Sequence, residues 1–87
     1  MNEDPIIHPR IHERHPDITD DDVKAAWYSL MDFSRRKRSI NRWIAVGLDG
    51  KGRSMELIFS MNSDGRWVIF HAYTPPTKGI LKELGLI

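Results

Sequence analysis

One stretch of this chain repeats its apolar residues at helical spacing, and three others carry them in runs of strand length. Val23, Ala26, Trp27, Leu30 and Met31 recur three and four residues apart, which lays a single apolar stripe along a helix. The start of that helix is written just upstream. Thr19 can accept the backbone N–H three residues on and Asp22 can reach back, while Asp20, Asp21 and Asp22 put carboxylates on the positive end of the helix dipole. Ile18 and Val23 are spaced to close an apolar staple over the cap. Further upstream, Pro9 opens and Pro16 stops a short helix over residues 10–15, because proline suits a first helical position and disfavours helix in the residue before it.

The strand-like runs are residues 42–48, 53–61 and 66–73, all rich in β-branched, aliphatic and aromatic residues. Asp49-Gly50-Lys51-Gly52 and Asn62-Ser63-Asp64-Gly65 separate them and have the composition of tight hairpin turns. Thr74-Pro75-Pro76 ends the sheet, since proline has no N–H to add to a ladder. A closing helix over 77–84 presents Ile80, Leu81 and Leu84, with Gly85 as its terminator. Residues 34–41 read as a loop or a frayed helix end, and residues 1–6 as flexible.

Together these elements predict one α+β domain over residues 1–87. N-terminal helices pack on one face of a three- to four-stranded antiparallel meander, followed by the short C-terminal helix. Simple alternation places Ile44, Val46, Leu48, Leu57, Phe59, Val68, Phe70 and Ala72 under the main helix. It leaves Trp43, Glu56, Ser60, Trp67, His71 and Tyr73 on the opposite face.

Composition narrows the class. Eighty-seven residues suit a single core, and the chain has no cysteine, which excludes disulfides and thiolate metal sites. No apolar run approaches membrane-spanning length, and Asn2, Glu3 and Asp4 follow Met1 where a signal peptide would carry basic and apolar residues. A cytoplasmic protein is expected. The formal net charge is only +1, yet the charges are segregated. Residues 34–53 hold seven basic groups against Asp49 alone, and residues 1–33 hold eight acids against Arg10, Arg14 and Lys24. Arg35, Arg36, Lys37, Arg38, Arg42 and Arg53 are therefore candidate RNA contacts, because clustered cations release counterions from a phosphate backbone. A solvated basic loop is the competing explanation.

Candidate chemistry lies in the histidines. His8, His12 and His15 fall at i, i+4 and i+7, a spacing that can bind zinc from one helical face, but no fourth ligand is near in sequence, so no metal is expected. Arg14 and His15 end the first helix, where they can face a phosphate, or Arg14 can pair with Asp20, Asp21 or Asp22. His71 and Tyr73 share a strand face and can serve as acid and base, and Lys78 can neutralise charge on a pentacoordinate phosphorus. Their ordinary alternative is as rim residues of a sheet. Glu56 can orient a histidine or pair with Arg53 or Arg66.

Arg14-His15-Pro16, then Ile18-Thr19-x-x-Asp22-Val23, a basic link, Arg42-Trp-Ile-Ala-Val-Gly-Leu-Asp, a meander and a short last helix form a recognisable order. Over roughly residues 8–84 the chain resembles the RelE/BrnT-like superfamily of ribonuclease toxins from bacterial type II toxin–antitoxin systems. The resemblance implies a metal-independent, cofactor-free endoribonuclease that cleaves messenger RNA and is held by a cognate antitoxin in a hetero-oligomer. By position it implies catalytic roles for Arg14, His15, His71, Tyr73 and Lys78. The chain departs from the family at its end, Leu84-Gly85-Leu86-Ile87, where many relatives carry Arg or Tyr. Two other functions fit the same residues: a non-catalytic nucleic-acid-binding module that stacks bases on Trp43, Trp67 and Tyr73, and a protein-interaction domain that uses the segregated charge.

Overall fold

The computed structural model describes residues 3–87. Its elements, in chain order, are β1 (Ile6–Ile7), α1 (Arg10–Arg14), α2 (Asp20–Tyr28), β2 (Asp32–Arg35), β3 (Trp43–Leu48), β4 (Ser54–Met61), β5 (Trp67–Tyr73) and α3 (Lys78–Glu83). The strands form one five-stranded sheet in the order β1-β5-β4-β3-β2, with β1 parallel to β5 and every other pair antiparallel. This five-stranded mixed sheet overturns the expected packing of N-terminal helices on one face of a three- to four-stranded antiparallel meander. Two short strands make the difference. β1 pairs Ile6 and Ile7 with Val68 and Ile69, so it begins within residues 1–6, the segment expected to be flexible, of which Met1 and Asn2 lie outside the described residues. β2 occupies part of the stretch read as a loop, so the basic run is the turn of a β2–β3 hairpin.

Helices cover both faces. The larger core joins Ile11 of α1 and Val23, Ala26 and Trp27 of α2 to Ala45, Met55, Leu57, Phe59, Ile69 and Ala72 of the sheet, with Trp43 and Trp67 at its margin. On the other face Ile80 of α3 packs on Ile44 and Val46, flanked by Ile58, Leu81 and Leu84. The predicted face assignment is therefore corrected in two ways. α2 sits over the Ala45 side of β3, where glycine permits the closest approach: a Cβ on Gly47 would overlap the Ala26 carbonyl. In β5, Phe59 pairs with Ile69 but Ile58 pairs with His71, so Phe70 is an extra, bulged residue. The bulge resets the alternation and brings Trp67, Ile69 and Ala72 onto the same buried face.

The start of α2 forms as its sequence requires. Thr19 Oγ1 accepts the Asp22 N–H at 3.1 Å, and Asp22 Oδ2 accepts the Thr19 N–H at 3.2 Å, a complete capping box. Such a cap is worth about 1 kcal/mol. Asp22 also anchors an ionic knot on the β3–β4 hairpin, in which the carboxylates are buried and the cations partly exposed. Lys51 Nζ lies 2.5 Å from Asp22, and Arg53 bridges Asp22 at 3.8 Å and Asp49 at 2.6 Å. Asp49 further accepts the backbone N–H groups of Lys51 and Arg53, both at 2.8 Å. No helix among the described residues is long and apolar enough to cross a membrane.

Candidate active site

The three histidines of the N-terminal segment have three different jobs. His8, before α1, accepts the Arg10 N–H on Nδ1 at 3.1 Å and caps the short helix. His12 donates Nδ1–H to the Ile18 carbonyl at 2.8 Å and faces Asp20 with Nε2 at 2.5 Å. Both partners accept, so the arrangement favours the doubly protonated imidazole. The Asp20 hydrogen bond, then the Ile18 carbonyl, raise its pKa above the ordinary histidine value. It is a clamp between α1 and the cap of α2, and it takes Asp20, one of the three acids with which Arg14 could have paired. Among the described residues no three His, Asp or Glu groups converge on a metal position.

His15 makes no such side-chain bond among the described residues. It is the residue at which α1 ends, with its N–H on the Ile11 carbonyl at 2.8 Å. β1 leaves the β5 ladder after Ile7, and α1 follows at once, so the end of α1 comes to the C-terminal half of β5. There the His15 ring centroid lies 4.8 Å from that of Tyr73 and 6.5 Å from that of His71. His71 and Tyr73 are two apart and share a face, as alternation predicts. That face is the α3 side of the sheet, because their partners across the ladder are Ile58 and Glu56.

Glu56 is the residue that sequence reasoning undervalued. It is buried, and its carboxylate lies 2.7 Å from His71 Nε2 while accepting the Thr77 N–H at 2.6 Å. Neither Arg53 nor Arg66 reaches it. Arg53 belongs to the ionic knot, and Arg66 bonds the Asp4 carbonyl at 2.9 Å. The signal in the sequence was the lone acid in an otherwise apolar strand, opposite a strand with one histidine. Only the ladder register shows that the two meet.

The remaining candidates divide between two places. Arg14, exposed, is the last residue of α1, next to His15, and Lys78, also exposed, opens α3 immediately after Thr77. Neither makes an ion pair among the described residues. The basic turn sits elsewhere. Arg36, Lys37, Arg38 and Ser39 line a cleft of about 470 Å³ with Glu83, and Arg36 Nη2 lies 3.2 Å from Glu83. Glu83 ends α3 and Thr77 caps its start. At ~1.5 Å per residue the six-residue helix separates the basic turn from the Glu56–His71 pair by roughly 9 Å along its axis. The basic turn and the histidine cluster are thus two neighbouring sites. Arg42 reaches from one toward the other, with its guanidinium 5.1 Å from the ring centre of Phe70, the residue before His71. Arg35 instead covers Trp43 at 5.2 Å.

No family model, curated protein or solved structure matches this chain. Its functional reading rests on the residues themselves. An imidazole at the end of α1 meets an imidazole and a phenol of β5 at a half-open position, and the β5 imidazole is held by a buried carboxylate. This set can transfer protons and neutralise an anion without a metal ion.

Proposed function

We propose that this protein is a metal-independent endoribonuclease, the toxin of a bacterial type II toxin–antitoxin pair of the RelE/BrnT-like kind, acting in the cytoplasm on messenger RNA. The observation that carries the reading is the meeting of His15 with His71 and Tyr73, residues 56 and 58 positions apart in the chain, at 6.5 and 4.8 Å. The imidazoles divide the two proton transfers that cleavage at a ribose requires. Tyr73, Arg14 and Lys78 flank the scissile phosphate, where their donors offset the charge that develops on its oxygens. Arg42 and the exposed Lys37 and Arg38 hold the neighbouring backbone. Arg53 has no part in this, since its charge is matched by Asp49 and Asp22.

The non-catalytic binding module is less well supported. Two of its three stacking platforms, Trp43 and Trp67, pack against the core beneath α2, with their ring centroids 6.1 Å apart.

The test is incubation of a 5′-labelled RNA with purified protein in excess chelator. The expected products end in a 2′,3′-cyclic phosphate or its 3′-phosphate hydrolysis product. A His15→Ala, His71→Ala double variant is expected to lose ~10³-fold or more in rate, the scale of paired acid–base groups. Undiminished cleavage by that variant would remove the assignment. Induced expression is expected to arrest growth and the double variant to be harmless. Rescue by the product of an adjacent gene would identify the antitoxin.

A further inference from the structure

Glu56 has both carboxylate oxygens committed. Oε1 accepts the Thr77 N–H at 2.6 Å, and Oε2 meets His71 Nε2 at 2.7 Å, in a residue only 3 % exposed. A backbone N–H can only donate, so Oε1 is an acceptor. Burial pushes the Glu56 carboxyl up, but the hydrogen bonds from His71 and Thr77 outweigh it and hold the group below the ordinary glutamate range. It is therefore a carboxylate at neutral pH, and Oε2 accepts as well. The hydrogen between the two residues sits on the imidazole. A neutral imidazole has one N–H, which leaves its lone pair on Nδ1.

Building on the ribonuclease reading, we propose that Glu56 is a positioning residue that selects the Nε2–H tautomer of His71 and so makes Nδ1 the nitrogen that takes the proton of the ribose 2′-hydroxyl. In that step the proton moves from O2′ to His71 Nδ1 as the O2′–phosphorus bond forms. The phosphorus–O5′ bond breaks, and O5′ takes a proton from the His15 imidazolium. His71 then carries a positive charge, and the Glu56 carboxylate already faces it at hydrogen-bond distance, so the charge forms beside a fixed counterion. The Thr77 N–H supplies direction. By occupying Oε1 it fixes the rotation of the carboxylate, and it ties the first turn of α3 to the orientation of the base.

The isosteric substitution Glu56→Gln tests this with a predicted sign. Thr77 still needs an acceptor, so the new amide turns its oxygen to Thr77 and its NH₂ to His71. Nε2 must then accept, and the ring proton moves to Nδ1. Long-range ¹⁵N–¹H correlation spectra of the histidine side chains, recorded where His71 is neutral, are expected to show Nε2–H in the wild-type protein and Nδ1–H in the variant. Cleavage of a labelled RNA is expected to fall ~100-fold or more, since tautomer reversal in a Ser-His-Asp triad costs about 10⁴ in rate. Three results overturn the proposal: Nδ1–H in the wild type, the same tautomer in both folded proteins, or a reversed variant that cleaves at the wild-type rate. The wild-type spectrum decides the tautomer even if the variant fails to fold. A wild-type protein that cuts no RNA removes the proton-transfer half along with the ribonuclease reading, and the spectra still decide the positioning half.

Discussion

The ionic knot on the β3–β4 hairpin and the histidine cluster at the end of β5 both use buried carboxylates, yet they differ in what faces those carboxylates. In the knot, Asp22 and Asp49 meet Lys51, Arg53 and backbone N–H groups, cations and donors that do not change near neutral pH. Burial pushes both carboxyls up, but these partners outweigh it and hold both below the ordinary aspartate range. In the cluster, Glu56 meets an imidazole that is partly open to solvent. The first arrangement can only hold the hairpin against α2. The second can exchange protons with something that enters from outside. A buried acid is thus assigned a role by its partner and by the partner's access to water.

The largest effect expected from breaking this contrast is on folding. Asp49→Ala removes the acceptor of the Lys51 and Arg53 backbone N–H groups and of Arg53 Nε, while Arg53 stays near Asp22 and partly in solvent, so the loss should be about 1–3 kcal/mol. Chemical denaturation would measure it, and a loss under ~1 kcal/mol would deny the knot its structural role. Next, Gly47→Ala forces a methyl group into the Ala26 carbonyl and should cost ~1–3 kcal/mol by the same measurement. Thr19→Ala removes one half of the capping box and should cost about 1 kcal/mol.

His71→Ala sharpens the comparison from the other side. Glu56 keeps the Thr77 N–H in this variant, so the protein is expected to stay folded while cleavage falls ~10²-fold or more. A variant that unfolds would show that the cluster is a structural element.

The smallest effect is in the pH profile of stability. His12 has a folded pKa above its unfolded value, so its contribution is complete below pH ~6.5 and is lost as pH rises through the folded value. Asp22, Asp49 and Glu56 have lowered folded values. They contribute above the ordinary carboxylate range and lose that contribution as pH falls through the folded values. Thermal denaturation across pH should show both flanks, and Asp20→Asn should flatten only the alkaline one.

Much of the local structure is written in local sequence. Thr19 and Asp22 mark the start of α2 locally, but the stripe read through Leu30 and Met31 overran its end, since the helix stops at Tyr28 and Met31 is exposed. The three long strands end within a residue of their turn signals, and Gly85 takes the positive φ, 74°, expected after α3. The sheet's topology was not legible. A two-residue parallel strand at Ile6–Ile7 has no periodicity to read, and Asp32-Phe33-Ser34-Arg35 has too few apolar residues to stand out beside a basic run. Both are strands because a neighbour offers them a ladder. The candidate site was half legible. His15, His71 and Tyr73 could be named from residue type and position. Glu56 could not be matched to His71 without the register, and charge counting could not reveal that the basic turn stands at the far end of α3.

Phe70 decides which side of the last strand carries the imidazole. Were β5 to run straight through it, His71 and Tyr73 would turn inward beneath the N-terminal helices and Ala72 would turn out. Removing Phe70 altogether would leave every other residue of the strand on its present side, since the supernumerary position would vanish together with the kink it causes. A one-residue deletion is ordinarily ruinous inside a sheet. At this position it should leave the strand's orientation intact and remove only the ring on which Arg42 rests.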